Sequence, residues 1–180
     1  MQEIERKFLV HKAGAPWRAL AFSVSHICQG YIKSEGATVR IRTKAISSLP
    51  SSQGEESKKA FRTIKGPSLD GGLSRYEFEK EITMDEAQHL LELCKGGVID
   101  KTRYLVKSGN HTFEVDEFHG DNDGLIFAEV ELGSADEAFE KPDFIADEVT
   151  GDKRYYNSNL LTYPYKEWNT NPTLLEGEGE

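Results

Sequence analysis

Short runs in which apolar and polar residues alternate recur along most of the chain. Clusters of Gly, Ser, Asn or Asp separate most of these runs and are typical of turns. Because successive side chains of a strand point to opposite faces of its sheet, each alternating run is predicted to be a strand. The predicted strands are 2–10, 27–33, 37–44, 60–66, 75–82, 100–107, 111–118 and 125–133.

Fewer segments carry the signals of helices. Thr83 and Glu86 form a capping-box pattern ahead of an apolar run, which predicts a helix that begins there. Ser134 and Glu137 repeat this pattern before a proline, and the stretch 142–161 is expected to be helical in parts. The chain is therefore predicted to have an α+β fold that is mostly β.

The length of 180 residues suits a single domain with its own core, which we place at 1–169. The tail 170–180 lacks the apolar residues needed to dock firmly and is expected to be disordered. Segment 45–59 is rich in Ser and contains Pro50 and Gly54. It is therefore predicted to be a flexible loop between two strands.

Net charge narrows the classes of partner. The formal net charge of −9 argues against a broad basic surface for nucleic acid or an anionic membrane, although it is compatible with a basic pocket. The run from Gln2 to Val10 is charged and strand-like, unlike the apolar core of a signal peptide, and no apolar stretch approaches membrane-spanning length. We expect a cytoplasmic protein with a small-molecule partner, and a homodimer is compatible with the sequence.

The cysteines and histidines show no spacing typical of a metal site. Cys28 and Cys94 are the only cysteines, and such a pair fits a reduced intracellular protein at least as well as a disulfide. Surface or packing roles are expected for most of the five histidines, which are His11, His26, His89, His111 and His119.

One face of most predicted strands carries charges of a single sign. The like-charged residues that share a face are Glu3 with Glu5, Arg40 with Arg42, Glu77 with Glu79, Lys101 with Arg103, Glu114 with Asp116, and Glu129 with Glu131. Lys7 lies on the face of Glu3 and Glu5, and Lys65 adds a cation at the end of its own strand. The opposite faces are largely apolar, with residues such as Val39, Ile41, Phe113 and Val115.

An ordinary sheet with one solvated face explains any single strand of this kind well. Repetition of same-sign doublets in strand after strand favours a different arrangement, because like charges on one face repel unless something compensates them. If the sheet closes with these faces inward, the charges line one cavity, and an eight-stranded barrel is wide enough to hold one small ligand. Enclosed charges need partners, and a polyanion with divalent cations would supply them.

These residues resemble a known family. The run Glu3-Ile4-Glu5-Arg6-Lys7 resembles the ExExK signature that opens the CYTH domain, also called the triphosphate tunnel metalloenzyme family. The signature alone would be weak, because alternating charges are common in strands. Further segments that match in family order are Gln29–Ile32, Val39–Arg42, Thr63–Pro67, Arg75–Glu79, Lys101–Tyr104, Glu114–Asp116, Glu129–Glu131 and Val149–Asp152.

The resemblance implies an eight-stranded antiparallel closed β-barrel with flanking helices, whose interior binds a triphosphate and divalent metal ions. The residues that would contact phosphate oxygens are Lys7, Arg40, Arg42, Lys65, Lys101 and Arg103. The residues that would hold Mg²⁺ or Mn²⁺ are Glu3, Glu5, Glu129 and Glu131, with Asp116 as a further ligand, directly or through water. Lys7 and Tyr31 match a Lys–Tyr pair that some members are thought to use to assist the attacking water.

The resemblance implies several chemistries, since the family includes triphosphatases and a class of adenylate cyclases. Compact members such as this chain most resemble the inorganic triphosphatases, so metal-dependent hydrolysis of inorganic triphosphate is expected. Formation of cyclic AMP from ATP is the alternative, although the sequence has no distinct base-reading motif. A binder of polyphosphate or nucleotide without catalysis is a third hypothesis, which four metal-ligand carboxylates disfavour.

Overall fold

The computed structural model describes residues 2–48 and 56–168, and β-strands make up most of its regular structure. The strands are β1 (Gln2–Val10), β2 (Ser23–Ile32), β3 (Thr38–Ser48), β4 (Ser57–Lys65), β5 (Ser74–Ile82), β6 (Val98–Ser108), β7 (His111–Phe118), β8 (Ile126–Glu131) and β9 (Ile145–Glu148). All eight strands predicted from the alternating pattern are confirmed, with shifts of a few residues at their ends. The short strand β9 is additional.

Eight of the strands close into an antiparallel barrel. The hydrogen-bonded order is β5-β4-β3-β2-β6-β7-β8-β1, and pairing of β1 with β5 completes the ring. The closing contact is short, with Gln2, Glu3 and Ile4 opposite Tyr76, Arg75 and Ser74. The closed eight-stranded barrel expected from the sequence is therefore confirmed.

Strand β1 has different partners along one of its edges. Residues Gln2 to Ile4 pair with β5, whereas Phe8 and Val10 pair with β9. Its other edge pairs continuously with β8, from Glu5 opposite Glu131 to Leu9 opposite Phe127. The ninth strand thus covers the part of β1 that β5 leaves unpaired, which satisfies backbone groups that would otherwise lie at an open sheet edge.

Among the described residues, three short α-helices accompany the barrel: α1 (Pro16–Leu20), α2 (Met84–Leu91) and α3 (Asn157–Leu160). The predicted capping box is present at α2, where Thr83 Oγ1 accepts a hydrogen bond from the Glu86 backbone and Glu86 accepts one from the Thr83 backbone, both at 3.0 Å. Within the described ranges, none of the helices has the length and apolar character needed to cross a bilayer.

Apolar residues pack mainly around the outside of the barrel and at one end. Phe8, Phe113 and Val130 pack with Trp17 of α1 and with Phe144 just before β9. On another side, Ile41 and Ala60 pack against Ala87 of α2. At one end, where the inward-facing residues become apolar, the packed residues are Ile99, Phe118, Leu125, Phe127, Tyr155 and Leu160. This packing leaves much of the interior to polar residues.

One local prediction was wrong and another was incomplete. The capping pattern at Ser134 does not begin a helix. Glu137 instead accepts one hydrogen bond from the Gly133 backbone and pairs with His111. The stretch 142–161 was expected to be helical in parts, and it contains strand β9 as well as the short helix α3. Backbone pairing with β1, which local sequence does not reveal, accounts for the strand.

The predicted loop 45–59 is shorter than expected, since β3 continues to Ser48 and β4 already begins at Ser57. Most of its centre and the tail 170–180 lie outside the described residues. Cys28 and Cys94 are both free thiols.

Candidate functional site

A cavity of about 1070 Å³ occupies the interior of the barrel. We call it the central cavity. The charged residues expected at the site converge there, namely Glu3, Glu5, Lys7, Arg40, Arg42, Lys65, Lys101, Arg103, Glu129 and Glu131, together with Tyr31. The alternation of β-strand side chains explains the convergence, since each of these residues lies on the inward face of its strand.

Opposite walls of the central cavity carry opposite charge. Strand β3 lies four positions from β8 in either direction around the ring, so the two strands face each other. Arg40 and Arg42 project from β3, whereas Glu129 and Glu131 project from β8. We call the wall of β1, β7 and β8 the carboxylate wall, and the wall of β2, β3 and β6 the cation wall. A ligand between the walls meets both signs of charge.

The carboxylate wall places acidic side chains directly beside one another. Glu5 is the cross-strand partner of Glu131, and Glu114 is the partner of Glu129. Glu3 is held by Lys65, whose Nζ lies 2.8 Å from Glu3 Oε2. Like charges directly opposite one another destabilise a sheet, so this arrangement requires compensation from cations.

Burial and the charges of neighbouring groups shift the pKa values of these carboxyls. Burial raises the pKa of Glu5 well above its usual value, and the charges of Glu129 and Glu3 add to the effect. Burial, Glu3 and Glu114 likewise raise the pKa of Glu131. Burial opposes ionisation of Glu129 too, but Lys7 and a hydrogen bond from Glu5 hold its pKa below the usual range. The protein's own cations thus neutralise this wall incompletely.

The cation wall holds its charges in a hydrogen-bonded network. Arg42 Nε donates to Gln29 Oε1 at 2.7 Å, and Gln29 Nε2 donates to Tyr31 at 2.8 Å and to Asn157 at 3.0 Å. Lys101 Nζ donates to the same Asn157 oxygen at 2.9 Å. Burial and the charges of Arg40 and Arg103 lower the pKa of Arg42 to about 9, which still leaves it charged at neutral pH. An anion in the central cavity would relieve this repulsion.

Asp116 lies behind two of the cations rather than on the cavity lining. Its Oδ1 accepts a hydrogen bond from Arg103 Nε at 2.7 Å, and its Oδ2 accepts one from Lys101 Nζ at 2.8 Å. Burial opposes ionisation, but Arg103 and Lys101 lower the pKa of Asp116 to about 2. The visible role of Asp116 is to orient two cations, and its expected role as a metal ligand remains a prediction.

Lys7 and Tyr31 lie on opposite walls, since β1 and β2 are also four positions apart in the ring. Lys7 Nζ donates to the Tyr155 carbonyl at 3.1 Å and lies 3.6 Å from Glu129 Oε1. Tyr31 accepts the hydrogen bond from Gln29, and burial raises its pKa. Both side chains line the central cavity, but the structure holds each one against a different neighbour.

Comparison with known proteins identifies the family. The sequence model of the CYTH domain family matches residues 1–159 of the chain. This chain belongs to the CYTH domain family. The "Inorganic triphosphatase" of Acetivibrio thermocellus is 44% identical over 167 residues, which cover 92% of this chain and 96% of that protein.

Two further matches, one to a protein sequence and one to a crystal structure, each cover most of this CYTH protein. The "Inorganic triphosphatase" of Nitrosomonas europaea is 36% identical over 163 residues, covering 89% of this chain and 97% of that protein. A crystal structure of an inorganic triphosphatase is similar to this structure, with a TM-score of 0.54 and 30% sequence identity. The match covers 88% of this chain and 93% of that chain. The family match therefore extends over nearly the whole described chain.

The central cavity of the CYTH protein also contains charged residues to which sequence reasoning gave no role in binding or catalysis. They are Lys44, Arg75, Glu77, Glu79, Glu114 and Lys153. Lys44 continues the two-residue period of Arg40 and Arg42, so the strand pattern contained a signal for it. Lys153 follows the last strand, and only tertiary packing brings it to the cavity.

The carboxylate wall fits a hard divalent cation. It supplies several carboxylate oxygens, which are the ligands that Mg²⁺ and Mn²⁺ prefer. Burial and neighbouring carboxylates raise the pKa values of Glu5 and Glu131, so a bound cation would favour their charged forms. Members of the CYTH family are metal-dependent, and the side chains that would hold the ion here are Glu3, Glu5, Glu129 and Glu131.

Proposed function

We propose that this protein hydrolyses inorganic triphosphate in its central cavity, with Mg²⁺ or Mn²⁺ as cofactor. The observation that carries the proposal is the opposition of a carboxylate wall and a cation wall inside one closed barrel. A polyanion bound together with a divalent cation has the complementary charge distribution. Two relatives that match nearly the whole chain, both named inorganic triphosphatase, support the same activity.

The cation wall is proposed to bind the phosphates. Arg40, Arg42 and Arg103 present planar guanidinium groups that can each engage two oxygens, whereas Lys101 on the same wall and Lys65 on the neighbouring strand β4 act as point charges. Asp116 and Gln29 hold three of these cations in place before the substrate arrives. Because these cations are already in position, they can stabilise the charge that shifts between phosphate oxygens during the reaction without having to move.

The reaction requires water to attack a terminal phosphorus while the phosphoanhydride bond breaks, which releases orthophosphate and pyrophosphate. A divalent cation held by Glu3, Glu5, Glu129 and Glu131 would offset part of the phosphate charge and would make water a better nucleophile. Lys7 and Tyr31 are the residues that we propose assist the attacking water. Their positions on opposite walls mean that they would approach it from different sides.

A comparison of substrates tests the proposal. Purified protein is incubated with inorganic triphosphate, ATP or thiamine triphosphate in the presence of Mg²⁺ or Mn²⁺, and the products are identified by phosphorus NMR. We expect orthophosphate and pyrophosphate in equal amounts from inorganic triphosphate, loss of turnover on chelation of the metal, and little cyclic AMP from ATP.

The alternatives predict different products. Efficient formation of cyclic AMP without hydrolysis of inorganic triphosphate would identify a cyclase and overturn the proposal. Tight binding of inorganic triphosphate without turnover under both metals would identify a non-catalytic binder. Arg42→Ala serves as the impaired control, since it removes one cation from the wall opposite the carboxylates.

A further inference from the structure

The outer surface of β2 and β6 brings together three different metal-ligating side chains, away from the central cavity. Cys28 and Asp100 are cross-strand partners, and His26 lies two residues before Cys28 on the same outward face. Their neighbours Gln29 and Lys101 project to the inside of the barrel instead. Among the residues that the structure describes, this group combines a thiol, an imidazole and a carboxylate.

The donor atoms are close enough to share one ion. His26 Nε2 lies 2.7 Å from Asp100 Oδ1 and 3.9 Å from Cys28 Sγ, and all three donor atoms lie within 4.8 Å of one another. Ligands of a tetrahedral zinc ion lie about 3.3–3.6 Å apart, given bonds of about 2.0–2.3 Å. The three side chains lie on a partly exposed surface, where rotation about their side-chain torsions can adjust these distances toward that spacing.

We propose that His26, Cys28 and Asp100 form a binding site for Zn²⁺ or a similar transition-metal ion, with water as the fourth ligand. Thiolate and imidazole select such ions, whereas Mg²⁺ and Mn²⁺ prefer the oxygen ligands of the carboxylate wall. The protein thus has two metal sites of different chemistry. The open fourth position makes the outer site accessible to water and to small ligands.

The strand framework supports the proposal. β2 pairs along its length with β3 on one side and β6 on the other, and β6 pairs in turn with β7. The backbones of His26 and Cys28 are therefore fixed by ladders on both sides. Asp100 is fixed by the ladder to β2 and by a hydrogen bond from the His119 backbone to its carbonyl at 3.0 Å, and a site on such elements is preorganised. The competing explanation is a simple surface ion pair between His26 and Asp100. In that case Cys28 would not bind a metal ion.

Binding of Co²⁺ distinguishes the two explanations, because a thiolate ligand produces a near-ultraviolet charge-transfer band that oxygen and nitrogen ligands do not. The reduced full-length protein is titrated with Co²⁺ in excess Mg²⁺, which occupies the carboxylates of the central cavity. We expect the band to appear at one equivalent of Co²⁺ and to disappear when Zn²⁺ is added. The band should be absent in Cys28→Ser.

Cys94→Ser is the matched control, since Cys94 is buried under α2 and its thiol donates to the Leu90 carbonyl. This variant should keep the band. His26→Ala and Asp100→Asn should each weaken Co²⁺ binding by more than about tenfold. Removal of a residue that only hydrogen-bonds to a metal ligand already weakens metal binding by about tenfold or more, and these two residues are proposed to be ligands themselves. Thermal melting of each variant without metal reports whether it remains folded.

Absence of a charge-transfer band at millimolar Co²⁺ would overturn the proposal. So would a band that persists in Cys28→Ser, or one that depends on Cys94 instead. Because the measurement follows a spectroscopic signal from the thiolate, its result does not depend on whether the central cavity hydrolyses triphosphate.

Discussion

Arg42 donates a hydrogen bond from Nε to the side-chain oxygen of Gln29 at 2.7 Å, and both side chains are buried. Arg42 and Gln29 are also cross-strand partners in adjacent strands of the cation wall. A neutral residue therefore sets the position of a cation that is proposed to bind phosphate. The amide nitrogen of Gln29 extends the same network to Tyr31 and Asn157.

Gln29→Leu should lower kcat/KM for inorganic triphosphate roughly ten- to hundred-fold, because a charge-assisted hydrogen bond is worth about 1.5–3 kcal/mol. A double-mutant cycle with Arg42→Ala isolates this contribution. If Gln29 acts through Arg42, the double variant should be scarcely worse than Arg42→Ala alone. Fully additive losses would show that Gln29 does not position Arg42.

Glu131→Gln should weaken metal binding, because it removes a negative charge from the carboxylate wall while it keeps the size and one oxygen. Part of the lost activity should return at higher Mg²⁺ or Mn²⁺ concentration. Arg42→Ala, in contrast, should stay impaired at every metal concentration, since it removes a contact to phosphate. Metal titrations of turnover for both variants check this difference, and equal rescue of the two would contradict the proposed division of the walls.

Lys7→Ala should lower activity far more than Arg6→Ala, although the two residues are adjacent. Lys7 projects into the central cavity, whereas Arg6 projects outward, where its Nε donates to Glu148 of β9 at 2.8 Å. That ion pair is partly exposed, so its loss should cost less than about 1 kcal/mol of the free energy of unfolding. Comparable losses of kcat/KM at the two positions would mean that the inward face has been wrongly assigned.

Binding of triphosphate should weaken as pH rises through the pKa of Lys44. Burial and the charges of Arg103 and Arg42 lower this pKa to about 8 in the ligand-free protein, and a bound polyanion would raise it. The ligand therefore favours the protonated form, so KM should increase as the pH rises above this pKa. The measurement is KM against pH at saturating metal.

Lys44→Arg and Lys44→Met are matched controls for this pH dependence. The arginine variant keeps its charge over the whole range, so its KM should stay low and the increase attributed to Lys44 should disappear. The methionine variant should lose the increase as well, but with a KM that is high at every pH. An unchanged pH profile in both variants would exclude Lys44 as its source.

The alternating pattern of the sequence determined much of the central cavity. Because side chains in a strand alternate strictly between faces, the like-charged pair Arg40 and Arg42 can be assigned to one face from the sequence alone. The same period extends to Lys44, so its place on that face was predictable although it was not assigned. The closed barrel followed from the repetition of such faces together with the resemblance to the CYTH family.

Local sequence could not show which strands become neighbours. Strand β9 is too short to show a clear alternation of apolar and polar residues. It forms because β5 leaves part of one edge of β1 unpaired. Asn157 joins the cation wall only because the C-terminal segment packs against one end of the barrel. These features depend on contacts between residues far apart in the chain.

The group of His26, Cys28 and Asp100 shows the same difference between what local sequence reveals and what strand pairing decides. Sequence spacing alone gave no sign of a metal site, since Asp100 lies far from the other two residues along the chain. Pairing of β2 with β6 makes Asp100 the direct neighbour of Cys28. The sequence determined which face of each strand a side chain occupies, because that alternation is local geometry. Tertiary structure decided which faces meet, because strand register is set by pairing and packing over the whole barrel.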